Sequence, residues 1–376
     1  MKWVFAVFLL MAVFLPVWGE TLYSPTWGFR IDLPEGYVYA DGDGRARFSF
    51  AGPAGVRFDL AVYGGVYRNL RDLVDDVNLR LKNQGECSFF EYNGRLAALI
   101  ELRFDAFTGW GLCVELDKKG NDVPLLLALS YGSAEAEGLD VYHLCAIDSV
   151  APSKAEMRYP GPLTEFGYPR GNMEKTEISG AEIAAWFREN DAEAAQSLVD
   201  REFALLRNYL FQDNWQEAWA RFYRAIYRDS WDRLADAVFQ LERKWDAPDE
   251  GLSRQEADYN LAQNALSWVQ GFQYERNLQG SDFVNLVTAA IEGRGDCDSR
   301  ALLWAILLAQ ADIPAAIMVS RDHSHAMGLA DISGEGARFE AGGKKWLVAE
   351  TTAQVDIGLI AQDVSGIEAW LGIMFE

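Results

Sequence analysis

The stretch Gly293-Arg294-Gly295-Asp296-Cys297-Asp298-Ser299, running into the apolar segment from Ala301 to Ala309, decides how this 376-residue chain is read. The two glycines permit a tight turn, and the apolar segment that follows is that of a helix buried on most sides. Cys297 therefore falls in the first turn of a buried helix, where free N–H groups and the helix dipole favour a thiolate. Asp296 and Asp298 flank it and oppose that charge, so an imidazolium partner is needed. Two of the chain's three histidines, His323 and His325, follow in RDHSHAMGLAD at 321–331. A carboxylate, Glu350, closes the apolar run of KKWLVAETT at 344–352.

The segment Ile313 to Val319 reads as a turn and a strand, 323–329 as the next strand, and 344–352 as a third after a glycine-rich connection. A helix followed by three antiparallel strands can bring one residue from each to a common edge. The reading is a Cys-His-acid nucleophilic site: Cys297 as nucleophile, a histidine as base, and Glu350 orienting the imidazole. Either His323 or His325 could face Cys297, because residues two apart on a strand share a side.

These residues carry a resemblance. G-x-G-D-C-D-S at 293–299, a helix ending in A-D-I-P at 311–314, H-A at 325–326 and W-L-V-A-E-T-T at 346–352 look like the bacterial transglutaminase-like superfamily. The match covers roughly residues 255–376, and WVQGFQY at 268–274 resembles the segment preceding that family's nucleophile loop. The resemblance implies a papain-like core, with Cys297, His325 and Glu350 as the catalytic set. Glu350 stands where the family more often has Asp. Gln270 becomes an oxyanion-hole candidate beside the Cys297 N–H, with Gln273 and Tyr274 as alternatives.

Upstream, residues 21–150 read as an α+β unit. WGFRIDL, ARFSF and VRFDLAVY alternate as half-buried strands do, separated by Pro34-Glu35-Gly36, Asp41 to Gly44 and Gly52-Pro53. The DGDG run is a hairpin turn and not a calcium loop, since Arg45 takes the next ligand position. Leu70, Val74, Val77 and Leu81 have helical spacing. CSFFEY, RLAALIELRF, WGLCVEL and PLLLALSY are four more strand candidates, and a helix over about 135–149 carries His143 as a structural residue. The element order and F-x-I-x-L-P-E-G-Y at Phe29 to Tyr37 resemble the PsbP-like α/β/α sandwich, which implies an antiparallel sheet.

Residues 151–178, rich in Pro and Gly, read as a linker. From Ser179, whose S-G-A-E resembles a capping box, helices are expected at 180–190, 192–211, 214–228 and 230–245. The aromatic stripe Trp219, Phe222, Tyr223, Ile226 and Tyr227 is expected in the core. After a break at 248–251, further helices are expected at 253–270 and 281–291. The organisation is a signal peptide over 1–19, a sandwich over 21–150, a linker over 151–178, a helical segment over 179–250 and a transglutaminase-like domain over 251–376.

Lys2 followed by 15 apolar residues, shorter than the ~20 needed to span a bilayer, reads as a signal peptide cleaved near Gly19–Glu20. The mature chain is then exported, periplasmic or extracellular, with no stable membrane insertion. A net charge of −22 argues against nucleic acid as a partner. Four cysteines are too few for a disulfide scaffold; Cys87, Cys113 and Cys145 stand as either a pair plus one or as buried free thiols. No metal or cofactor is expected. The expected partner is a protein or peptide, possibly of the cell envelope, attacked at an amide through a thioester, with hydrolysis or acyl transfer to follow. The alternatives are an envelope amidase and a degenerate transglutaminase-like binding or scaffold protein.

Overall fold

The computed structural model describes residues 21–245, 252–276, 281–362 and 366–375. The expected signal segment and the break at 248–251 lie outside the described residues. In chain order the first half contains β1 (Leu22–Tyr23), β2 (Arg30–Ile31), β3 (Val38–Gly42), β4 (Arg47–Ala51), β5 (Arg57–Tyr63), α1 (Leu70–Leu81), β6 (Cys87–Tyr92), β7 (Arg95–Phe104), β8 (Phe107–Glu115), β9 (Leu125–Ser133) and α2 (Asp140–Asp148). Seven of these strands form one antiparallel sheet in the order β3-β4-β5-β9-β8-β7-β6.

Both faces of that sheet are covered, which is why RLAALIELRF reads as nearly continuous apolar sequence. Ala97 and Leu99 of β7 point into a core shared with Phe29, Ile31, Ala146 and Ile147. The intervening Ala98, Ile100 and Leu102 point the other way, against Leu70, Leu73, Val74 and Val77 of α1. Helix α2 packs on β8 and β9. His143, buried on α2, shares a 3.0 Å hydrogen bond through Nδ1 with Ser130 Oγ, and burial pushes its pKa down to about 4. All four cysteines are free thiols.

The second half contains α3 (Pro162–Gly167), β10 (Met173–Ile178), β11 (Ile183–Arg188), α4 (Asp191–Leu206), α5 (Trp215–Arg233), α6 (Ala235–Trp245), α7 (Arg254–Gln270), β12 (Gln273–Tyr274), α8 (Leu286–Glu292), β13 (Arg294–Gly295), α9 (Cys297–Gln310), β14 (Ala315–Ser320), β15 (His325–Ala330), β16 (Arg338–Ala341), β17 (Lys344–Ala349) and β18 (Leu371–Met374). The last five strands make an antiparallel sheet in the order β16-β17-β15-β14-β18. The protein is thus a mixed α+β fold with a large antiparallel sheet. Phe222, Tyr223 and Ile226 of α5 sit in the same hydrophobic core as α9 and this second sheet, with Trp219 and Tyr227 packed against it. That core includes residues from Ile178 to Ile373.

Two expected features differ. Residues 180–190 are not a helix. They belong to the β10–β11 hairpin, with Gly180 at φ +68° and Glu182 at φ +51° in its turn. The alternation decides it: Ala185 and Phe187 are buried while Trp186 is 46% exposed, a period of two. The stretch 151–178 is not a free linker either. The buried Asp148 carboxylate accepts hydrogen bonds from Leu163 N, Thr164 N and Thr164 Oγ1 and so caps α3. Gly161 is required there, since a Cβ would lie 2.2 Å from Asp148 Oδ1. Smaller shifts follow from caps: α8 starts only after Asn285, whose side chain accepts from Thr288 N.

Arginines on α5 tie the two halves together. Arg228 donates to the carbonyls of Asp148, Ser149, Val150, Glu156 and Tyr159, so its fork covers the C-terminal end of α2. Arg224 makes a bidentate pair with Asp32, at 2.9 Å for each bond.

Candidate active site

Helix α9 sets the geometry. Its N-cap, Asp296, accepts from Ser299 N at 2.8 Å and Ser299 Oγ at 2.6 Å, which fixes where the helix starts. Ala301 to Leu308 are all buried, and Trp304 Nε1 donates to the Ala262 carbonyl of α7. The helix therefore cannot turn or slide, and Cys297 is held at its first position, only 6% exposed.

The turn before it is just as constrained. Gly293 has φ +65° as the residue closing α8, and a Cβ there would meet Ser179 Oγ at 2.4 Å. Strand β13 pairs in parallel with β12, Tyr274 lying opposite Gly295. Arg300, buried on α9, holds this pairing by donating to Gly295 O at 3.1 Å and Phe272 O at 2.7 Å. As a result the Tyr274 hydroxyl lies against the Cys297 sulfur.

The second sheet supplies the other two groups. His325 opens β15, and Ser320 of β14 is its partner across the hairpin. Gly328 of β15 pairs with Ala349 of β17, so Glu350 comes level with Met327, two residues from His325. His325 Nε2 and Glu350 Oε2 are 2.7 Å apart. The other carboxylate oxygen accepts from Thr352 N at 2.7 Å and Thr352 Oγ1 at 2.6 Å. Burial opposes the Glu350 charge, but His325 and Thr352 outweigh it and hold the carboxyl below its ordinary range. An ionised carboxylate only accepts, so Nε2 carries the proton and Nδ1 is the basic nitrogen.

The sulfur faces the Ala326 N–H of the same strand, which favours its charged form. Burial first, then Asp298 and Asp296, nevertheless push the thiol well above its ordinary value. Asp298 is in contact: the sulfur lies 3.6 Å from its Oδ1. Burial raises both Asp296 and Asp298 above the usual carboxylate range.

His325 and Glu350 come together, then, and the Cys297 sulfur lies beside Ala326, the residue after His325. His323 lies in the turn before β15, not on the strand, and stacks on Trp370 at 5.5 Å between ring centres. Trp370 also meets His325 edge-on at 6.2 Å. Gln270 is not aimed at the sulfur. Its Nε2 donates to the carbonyls of Glu350 and Val355, both at 2.8 Å, and so clamps the chain that carries the acid. Gln273 is exposed, its backbone N–H bonded to Gly293 O at 2.7 Å. Of the three oxyanion candidates, Tyr274 is the one at the sulfur.

Trp370 and Tyr223 escaped sequence reasoning. Trp370 lies outside every motif, and Tyr223 is a core residue by spacing whose hydroxyl happens to face Asp298. Among the described residues, no group of three or more His, Cys, Asp or Glu side chains could hold a metal ion. No helix among them is long and apolar enough to cross a membrane.

The structure is thus that of an α+β protein in which a paired imidazole and carboxylate, His325 and Glu350, lie on a sheet packed against the helix that Cys297 opens. No protein-family model matches the chain, and no curated protein matches it either.

Proposed function

We propose that this protein is an exported, transglutaminase-like cysteine enzyme with a papain-like core, which attacks amide bonds of proteins or peptides through a thioester. The observation that carries the reading is the 2.7 Å bond between His325 Nε2 and Glu350 Oε2. It leaves Nδ1 as base on the strand whose next N–H, Ala326, touches the Cys297 sulfur.

The mechanism follows from those roles. The sulfur adds to the amide carbonyl carbon while its proton passes to His325 Nδ1. The carbonyl oxygen becomes an oxyanion and takes hydrogen bonds from the Cys297 N–H, free at the helix start, and the Tyr274 hydroxyl. The tetrahedral intermediate collapses as the imidazolium gives its proton to the leaving amine, and the acyl group stays on sulfur. Water or a second amine then attacks the thioester, giving hydrolysis or acyl transfer. Glu350 keeps the imidazole in the tautomer that accepts at Nδ1.

The test uses the full chain with an activated nitrophenyl ester and a glutamine-containing peptide. Wild type should release nitrophenol with an acyl adduct on Cys297 seen by intact mass, and should release ammonia from the peptide. Cys297→Ala and His325→Ala should do neither. Absence of any adduct in wild type would leave the binding or scaffold reading, favoured by the 6% exposure of Cys297 and its two flanking carboxylates.

A further inference from the structure

We propose that Asp298 is a further proton-handling residue of this site: its carboxylate keeps the Cys297 proton on sulfur, so the nucleophile rests as a neutral thiol. The thiolate then exists only while the carbon–sulfur bond forms. The inference rests on Cys297 being the nucleophile of the reading above.

The geometry is direct. The Cys297 thiol points at Asp298 Oδ1 across 3.6 Å, a contact in which the S–H donates and the carboxylate accepts. Burial raises the Asp298 carboxyl, and the α9 N-terminus, the Tyr223 hydroxyl, the Cys297 S–H and His325 act against that and favour its ionised form. Every element around the sulfur adds to the balance. From α9 and its cap come Asp296 and the Arg300 guanidinium, whose donors go to the Gly295 and Phe272 carbonyls and not to a carboxylate. From β12 comes the Tyr274 hydroxyl, and from β15 come the Ala326 N–H and His325. From α5 the wholly buried Tyr223 turns its hydroxyl toward Asp298 without reaching full hydrogen-bond geometry. Asp282, before α8, adds a further negative charge, itself paired with Arg276 at 2.9 Å. Two carboxyls and a thiol thus meet a single ionisable cation of the catalytic set, His325.

A thiolate and an ionised Asp298 in contact repel strongly in so dry a place. Attack therefore proceeds with the proton moving from sulfur to His325 Nδ1 as the carbonyl electrons move to oxygen, while Asp298 keeps its charge. A consequence is chemical selectivity. Oxidants and simple alkylating agents need a preformed thiolate. A bound acyl group gains the two oxyanion donors as well, so it is attacked where those reagents are not.

The test titrates the thiolate by its ultraviolet absorbance, taking native protein minus Cys297→Ser, with protein unfolded in guanidinium as the reference for an ordinary thiol near about 8.5. Iodoacetamide rates across pH give an independent measure. Native wild type should titrate above the unfolded reference and alkylate more slowly at neutral pH. Asp298→Asn and Asp298→Ser both remove the charge, and each should shift the titration down by at least about one unit, a tenfold gain in thiolate and in alkylation rate. A wild-type thiolate appearing below the unfolded reference would overturn the proposal, and so would folded variants that track wild type. If both variants unfold, the carboxylate infrared bands of wild type minus Cys297→Ser decide: a carboxylate band that shifts as the thiol ionises is expected, and its absence would overturn the proposal. Failure of nitrophenyl ester acylation would instead remove the enzyme reading and leave the titration standing.

Discussion

Replacing Glu350 with Gln is the sharpest probe of the imidazole's orientation. Gln keeps the shape of the side chain and removes its charge. Thr352 donates both its N–H and its hydroxyl to Oε1, at 2.7 and 2.6 Å. Those two donors pin the amide oxygen of the new side chain on their side, so its NH2 must face His325 Nε2 across the former 2.7 Å contact. Two donors cannot face each other there, and the imidazole has to move its proton to Nδ1. In that tautomer Nδ1 can no longer take the thiol proton. Turnover should fall by about 10³ to 10⁴, the scale of a wrong-tautomer defect in a catalytic triad, with KM little changed. Stability should change far less, by ~1–2 kcal/mol, because the lost charge-assisted bond is offset by relief of burying a carboxylate. The assay pairs nitrophenyl ester kinetics with nitrogen-15 NMR of the His325 ring. A Glu350→Gln protein that keeps more than half of wild-type turnover, with its Nε2–H tautomer intact, would refute the orientation argument.

Further expectations follow from single contacts. Tyr274→Phe removes the hydroxyl at the sulfur and should lower kcat by about 10²-fold or more, the scale of one oxyanion donor, whereas Gln270→Glu should act through thermal stability, since its amide clamps backbone carbonyls. Gly328→Ala would put a Cβ 2.4 Å from the ring of the wholly buried Trp304. It should cost ~1–3 kcal/mol by urea denaturation and also reduce turnover, because the strand pushed off α9 is the one that holds His325. Glu35, whose carboxyl burial raises from 4.5 to about 7, stays protonated in the folded state where the unfolded chain has ionised. Its contribution is therefore fully present below pH 4.5 and lost as pH rises through about 7. Glu35→Gln should thus gain on wild type over that window, by on the order of 3 kcal/mol at its upper end, read from denaturation midpoints at several pH values.

The parts of this chain that could be read locally were those governed by one element's own period. The strand alternation of VRFDLAVY, the helical spacing of Leu70, Val74 and Val77, and the all-round apolar face of α9 each reflect burial that the element imposes on its own residues. The helix expected from 253 starts there because Ser253 and Glu256 form a capping box, whose partners lie within one turn. Ser179 to Glu182 has similar composition and failed, because Ala185 and Phe187 bury with period two against a core built by distant helices. The Pro- and Gly-rich stretch after 150 misled in the opposite direction. Composition argues against regular structure there, yet α3 and β10 form in it, and composition cannot reveal that Asp148 and the Arg228 fork hold it down.

At the candidate site the division is similar. The sequence by itself determined that a cysteine opens a buried helix and that a histidine and a carboxylate follow it near the ends of later strands. Glycine turns, apolar periodicity and the order of the motifs are properties of short segments, and they survive folding. Only the tertiary structure decided which polar atoms meet. It gave the 2.7 Å bond between His325 and Glu350, moved Gln270 from the sulfur to the acid's backbone, and brought Tyr274 to the sulfur through the β12–β13 pairing. A hydrogen bond needs placement to within a few tenths of an ångström, and here that placement comes from two packed elements distant in sequence, so no local pattern could contain it.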